Sequence, residues 1–240
     1  ASIWMPGVVV GPRGLTYPTT RLNWNPAWRV IPSRFPSVGL FERVASPEDF
    51  DALYALEAMT NDRIRDEVGE INLVPPEERL FGPGSTCIMA AFTHLNPRGS
   101  RFSDGTYGVF YCARKQDTAI AETRYHSALF MAATHEPPMR LQMRLYKVKA
   151  RGEVADLREA SHADPRIVDP DDYGYAQGIG RKLRSDGVRG ILYPSVRHPS
   201  GECLAAFSTA LLKNCLHAAY LEYNWDGRAI DAVFEVSQLL

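Results

Sequence analysis

The 240-residue chain carries 27 Lys plus Arg against 28 Asp plus Glu, a formal charge of −1, and 45% of its residues are hydrophobic. That balance excludes a global basic field drawing the chain to nucleic acid or an anionic membrane, and the apolar fraction suffices for one large core. No apolar run approaches the roughly 18 residues of a membrane span.

Residues 1–27 hold Pro6, Pro12, Pro18 and Pro26 among scattered glycines. Proline breaks ladders and helices, which predicts an irregular N-terminal arm. Trp28-Arg29-Val30-Ile31-Pro32 is a short apolar strand with a charge inside it, limited by Pro32. Ser46-Pro47-Glu48-Asp49 has a hydroxyl cap, an early proline and acids at the positive dipole end, starting a helix that runs to about Thr60. Residues 61–84 mix charge, proline and glycine, predicting loop with a short helix around 62–68.

The stretch from Arg101 to His126 reads as turn, strand, helix. Ser103-Asp104-Gly105 has turn chemistry, and Val109-Phe110-Tyr111-Cys112-Ala113 is rich in strand formers. Asp117 or Thr118 caps the following helix, with Ile120, Ala121, Tyr125, Ala128, Leu129 and Ala132 on its apolar face. Tyr111 and Glu122 then both approach the outer end of the strand, where sites gather.

Further on, residues 140–145 alternate polar and apolar as a half-buried strand, which continues through 146–149 after a bulge where the phase shifts, and 153–157 extend the sheet. A helix from Tyr173 to Arg184 turns Ala176, Ile179, Gly180 and Leu183 inward and closes at Gly187. Strands at 190–193 and 203–207 flank a polar loop, and Trp225-Asp226-Gly227 marks a hairpin. Cys87, Cys112, Cys203 and Cys215 form no C-x-x-C pair, favouring reduced thiols. With no basic-then-apolar leader pattern at the start, this predicts a cytoplasmic protein.

Arg29, Arg101, Tyr111, Glu122 and Ser195 each stand at or beside the end of a predicted element. Each also has an ordinary reading: snorkelling arginines, a core tyrosine, a solvated glutamate, a serine capping a turn. No G-x-S-x-G surrounds Ser195, and no phosphate loop is present. Glu122 and His126 are one helical turn apart, but zinc needs a further ligand that no motif supplies, so no metal is expected.

Taken in order, Trp28-Arg29-Val30, Gly99-Ser100-Arg101-Phe102-Ser103, Val109-Phe110-Tyr111-Cys112-Ala113, Thr118-Ala119-Ile120-Ala121-Glu122 and Tyr193-Pro194-Ser195 resemble the RES-domain toxins over roughly 28–236. The resemblance implies an α+β fold whose mixed central β-sheet is like that of diphtheria-toxin-type ADP-ribosyltransferases, with peripheral helices. It implies a single domain over 28–240 with an insertion at about 37–98. Arg29 and Arg101 match the family arginines, Tyr111 the tyrosine, Glu122 the glutamate and Ser195 the serine. Arg34 is a weaker rival to Arg29. The segment usually written Gly-Gly-Arg-Trp-Asn reads Gly-Ser-Arg-Phe-Ser here, so the asparagine's polar contact is lost.

What the resemblance implies is a toxin that consumes NAD+, needs no metal, and is neutralised by a cognate antitoxin with an Xre-like DNA-binding domain. The expected activity is cleavage of the nicotinamide–ribose bond and transfer of ADP-ribose to a protein such as phosphoribosyl-pyrophosphate synthetase. Inorganic phosphate or water is the alternative acceptor. In that chemistry Glu122, Tyr111 and Arg29 are catalytic, and Arg29, Arg101, Tyr111 and Ser195 bind NAD+. Guanidinium groups suit pyrophosphate, a tyrosine ring suits nicotinamide, and a carboxylate suits a ribose gaining positive charge. A reading of another class is a non-catalytic NAD+-binding or interaction module whose Arg and Glu form a buried pair. Val38, Leu40 and Phe41 are a candidate antitoxin-facing patch.

Overall fold

Two long strands, β2 (Thr16–Pro32) and β4 (Met139–Asp156), run antiparallel from Thr19 opposite Ala155 to Pro32 opposite Met143. The computed structural model describes residues 7–33 and 69–237. The expected helices at 46–60 and 62–68, Arg34, and the apolar patch at Val38, Leu40 and Phe41 lie outside these residues.

The N-terminal arm is not the irregular chain expected over 1–27. Val8–Val10 form a short strand, β1, on β2, and residues 16–27 are part of β2 instead of irregular chain. Proline content misleads here because both prolines sit where no ladder bond to β4 is lost. Pro18 lies opposite Val8 of β1 before the β4 register begins, and the register skips from Trp24 to Ala27, leaving Asn25 and Pro26 outside it. The alternation of buried Leu22 and Trp24 with exposed Arg21 and Asn23 then holds the segment in the sheet.

The remaining strands are β3 (Phe110–Ala113), β5 (Gly190–Pro194), β6 (Glu202–Ala206), β7 (Leu212–Trp225) and β8 (Ile230–Val236). Their order is β1-β2-β3-β6-β5-β4-β7-β8, and because β2 also pairs with β4, the strands β2, β3, β6, β5 and β4 close a circuit. The β4–β5 contact is parallel and the other pairings are antiparallel, so the sheet is mixed and the class α+β. β4 shifts register against β7 after Leu145 and again after Lys147, where the sequence pattern changes phase. The Asp226-Gly227 turn joins β7 to β8, with Asp226 accepting the Arg228 and Ala229 N–H groups at 2.7 Å each.

Among the described residues, four helices pack on the sheet: α1 (Thr86–Thr93), α2 (Gln116–Ala133), α3 (Arg158–Ala163) and α4 (Gly174–Ser185). α1 and α3 were absent from the sequence reading, being too short for a helical period to register. One core cluster joins α1 to Leu22, Trp24, Phe110 and Val148. The other lies beneath α2 and α4, around Val30, Ala119, Leu145, Ile179 and Tyr193.

α2 also differs from expectation. It is capped by Lys115 without a side-chain bond, Asp117 and Thr118 are inside it, and its buried residues are Thr118, Ala119 and Met131, while Leu129 is 51% exposed. The helix is rotated because polar groups on its inner face have specific partners. The Thr118 hydroxyl meets His198 Nδ1 at 2.8 Å, and Thr123 Oγ1 meets the Tyr223 hydroxyl at 2.8 Å. Glu122 lies three and four residues after Ala119 and Thr118, so the same rotation turns it toward the sheet.

α4 follows its predicted face, with Ala176, Ile179, Gly180 and Leu183 buried. Gly180 presses on the backbone of Phe102, where an added Cβ would come within 2.1 Å of the carbonyl oxygen. Gly180→Ala is therefore expected to lower stability by about 1–3 kcal/mol through overpacking, read as a drop in Tm. An unchanged Tm would show that α4 can move off Phe102 freely.

Candidate functional site

β2 and β3 share a single register pair, Trp28 with Ala113. Beside that contact lies a cavity of about 380 Å³, within the usual range of small-molecule sites, lined by Trp28, Arg29, Arg101, Tyr111, Glu122, His126, Tyr173 and Tyr193 among others. It brings four of the five expected residues together. Arg29 comes from β2, Tyr111 from β3 and Glu122 from α2, while Arg101 comes from the turn before β3.

Ser195, the fifth, is not on the lining but reaches the cavity through Glu122. Its hydroxyl donates to Glu122 Oε1 at 2.5 Å, and the backbone N–H groups of Val196 and Arg197 donate to the same oxygen at 3.1 and 3.4 Å. The turn after β5 makes this cradle. It closes with Ser195 N–H on the Gly201 carbonyl at 2.8 Å, and the His198 N–H donates to Ser195 Oγ at 3.0 Å. Gly201 permits the turn to lie on α2, since a Cβ there would meet Thr118 Cγ2 at 2.7 Å. Three donors on one oxygen fix the carboxylate, and Oε2 takes none of them.

The two arginines are held differently. Arg101 is 7% exposed, donates from Nη1 to the Asp169 carbonyl at 2.6 Å and lies 4.6 Å from the Tyr173 ring centroid. Arg29 donates from Nη1 to the Tyr111 carbonyl at 2.8 Å and lies 4.4 Å from the Phe110 ring centroid, while its Nε is buried without a partner. Neither forms an ion pair among the described residues. A buried cation held only by carbonyls and rings is poorly compensated, and an anionic ligand would relieve it.

Tyr111 is positioned by its hydroxyl, which meets Ser100 Oγ at 2.8 Å and accepts the Phe102 N–H at 3.1 Å. Burial pushes its pKa up to about 12 against the pull of those bonds and Arg101, so the phenol is neutral at ordinary pH. Burial likewise raises the Cys112 thiol to about 12, and Tyr193 and Cys203 well above their usual values. These groups are poor nucleophiles or bases near neutrality. His126 is shifted down, first by desolvation and then by Arg197 and Arg101, with Glu122 opposing.

Tyr173 is expected only as the start of a helix and Tyr193 only as a neighbour of Ser195 in its motif, and His126 enters only as a weak metal candidate, yet all three line the cavity. Tyr173 arrives on the segment before α4, which is tied down by Arg101 at Asp169, by Arg197 Nη2 on the Pro170 carbonyl at 2.7 Å and by the Tyr125 hydroxyl on Asp171 at 3.1 Å. Long-range bonds of this kind leave no local signal.

A family model described as RES domain matches residues 76–226. The match includes Arg101, Tyr111, Glu122 and Ser195 and starts after Arg29, so it is narrower than the resemblance over 28–236. The uncharacterized protein y4oC of Sinorhizobium fredii is 29% identical over 211 residues, covering 86% of each chain. A chain of the crystal structure of the M. tuberculosis MbcT–MbcA toxin–antitoxin complex aligns with a TM-score of 0.47 at 13% identity, covering 83% of this chain and 86% of that one.

Proposed function

The chain belongs to the RES-domain family, and from that premise we propose that it is an NAD+-consuming toxin of the cytoplasm, with a diphtheria-toxin-type fold, that transfers ADP-ribose to a protein acceptor and is restrained by an Xre-type antitoxin. The observation that carries the reading is one cavity holding a cradled carboxylate, Glu122, and two guanidinium groups without acidic partners among the described residues. Glu122 pairs with neither arginine among the described residues, which is not the arrangement of a module stabilised by a buried Arg–Glu pair.

In this reaction the bond between nicotinamide and ribose C1″ breaks, its electron pair leaves with neutral nicotinamide, and positive charge develops on the ribose. Glu122 stabilises that charge through Oε2 and accepts a ribose hydroxyl bond, while Oε1 stays in the Ser195 cradle. Arg101 and Arg29 hold the pyrophosphate by their remaining N–H groups. The rings of Tyr111 and Tyr173 offer faces to the flat parts of the dinucleotide. The acceptor's nucleophilic atom then bonds to C1″ and loses its proton.

The test is NAD+ consumption by the purified chain, with and without phosphate and with a lysate containing phosphoribosyl-pyrophosphate synthetase, followed by mass spectrometry. A labelled protein is the expected product. ADP-ribose-1″-phosphate or free ADP-ribose without labelled protein would instead make the acceptor phosphate or water. Intact NAD+ under all conditions would overturn the enzymatic reading.

Two variants probe the carboxylate's surroundings. Ser195→Ala removes one of three donors to Oε1 and is expected to lower kcat by roughly 10-fold with little change in KM, because the serine positions Glu122. A rise in KM alone would instead place its hydroxyl on the substrate. His126, with its lowered pKa, is uncharged at neutral pH and gains a proton only below its ordinary 6.5. A cation there opposes charge building on ribose, so turnover should fall on that acid side, and His126→Asn should move the fall to lower pH. An unmoved profile would assign it to another group.

A further inference from the structure

Part of the β4 surface carries positive charge that forms no ion pair among the described residues. Lys147, Lys149 and Arg151 are exposed while the intervening Val148 and Ala150 are buried, so the three basic side chains line one face at alternate positions. β2 and β7 flank β4 here and extend the same face. Across the strands, Lys147 has Trp28 on one side and Leu216 on the other, Lys149 lies directly opposite Lys213, and Arg151 lies opposite Asn23. Glu153, the next residue in the row, is already opposite Arg21.

Like charges directly opposite in a sheet are destabilising. Yet among the described residues none of Lys147, Lys149, Arg151 and Lys213 forms an ion pair. This concentration occurs in a chain whose formal charge is −1. The position is also specific. Val30 and Leu145, the next row on this face, pack in the core with Ala119 of α2, so the basic strip starts where the helix stops covering the sheet. At that end Trp28 lines the cavity, and Lys147 Nζ lies 5.5 Å from its ring centroid.

We propose that this strip is the docking surface for an acidic segment of a partner polypeptide, laid along β4 toward the cavity mouth. β4 is paired on both sides, so the segment binds through side chains and not by adding a strand. Successive basic rows are about 6.8 Å apart, the repeat of alternate side chains in an extended peptide. Leu216, 51% exposed and opposite Lys147 on β7, offers such a segment one apolar contact. A single-stranded nucleic acid fits less well, because its bases need open aromatic faces, and Trp28 is half-buried with Lys147 over its ring. The inference does not depend on NAD+ being cleaved.

The experiment measures fluorescence anisotropy of a labelled oligoglutamate peptide, an oligothymidylate of equal length, and vesicles of phosphatidylserine with phosphatidylcholine, each against the full chain. Oligoglutamate should bind best and weaken as salt is raised from about 50 to about 500 mM. Lys149→Glu combined with Lys213→Glu should weaken that binding at least about tenfold, since rim charges set such encounters, while NAD+ turnover stays at the parent's level. Lys213→Glu alone should weaken binding and raise the Tm, because it turns a repulsive cross-strand pair into an attractive one. A strip with only a structural role would not show those two changes together. If the double reversal fails to fold, Lys149→Ala with Lys213→Ala carries the same expectation of weakened binding. The proposal is overturned if the parent does not bind oligoglutamate at low salt, if the variants bind it as the parent does, or if oligothymidylate or vesicles bind more tightly.

Discussion

Glu122→Gln is expected to slow NAD+ turnover by roughly 10² to 10³ while NAD+ binding stays near the parent's, an effect of about 2–4 kcal/mol on the transition state alone. The substitution isolates charge from structure. A glutamine carbonyl in place of Oε1 still accepts from Ser195, Val196 and Arg197, so the cradle formed by the turn after β5 is kept. What is lost is the negative charge facing a ribose that becomes cationic only as the nicotinamide leaves. Glu122→Ala is a poorer test, because it strands three donors, at about 1–3 kcal/mol for each one left buried and unsatisfied. Turnover by product analysis and affinity by calorimetry, measured on the same preparation, check the expectation. A variant that turns over NAD+ within threefold of the parent would remove Glu122 from the chemistry.

Arg101→Ala should raise KM for NAD+ by roughly 10- to 100-fold, the range set by losing a charge-assisted bond of about 1.5–3 kcal/mol. It should also lower the Tm. Arg101 is 7% exposed and holds the Asp169 carbonyl at 2.6 Å, so its loss leaves that acceptor unmet and frees the segment that carries Tyr173. The two effects separate with Arg101→Lys. Lysine keeps a positive charge but cannot present a guanidinium's paired N–H groups or its flat face to Tyr173, so KM should stay elevated. Unchanged KM in both variants would show that the arginine anchors the segment without meeting the dinucleotide.

The fate of individual residues shows what was legible beforehand. Arg29, Arg101, Tyr111 and Glu122 were singled out by type, spacing and family resemblance, and they line one cavity. Ser195 is expected from the same resemblance to bind substrate, and what the structure adds is that its hydroxyl donates to a carboxylate 73 positions earlier in the chain. The prolines of the first 27 residues were read as breaking structure, but a register skip at Asn25 and Pro26 and an edge position at Pro18 accommodate two of them inside β2. α2 was recognised as a helix and misjudged in rotation. An apolar row predicts its own burial only if nothing polar competes, and here Thr118 and Thr123 have hydroxyl or imidazole partners on other elements.

The amino-acid sequence by itself determined the local elements: the strand at β3, the inward face of α4, the bulged course of β4 and the hairpin at Asp226-Gly227. These follow from alternation, helical period and turn chemistry, which act over a few residues. Only the tertiary structure decided that β2 and β3 meet at a single pair beside a cavity, that Tyr173 closes on Arg101, and that four basic residues from two strands share one face. Those outcomes depend on which strands become neighbours and in what register. Register is fixed by contacts between segments far apart in the chain, where no local propensity reports it.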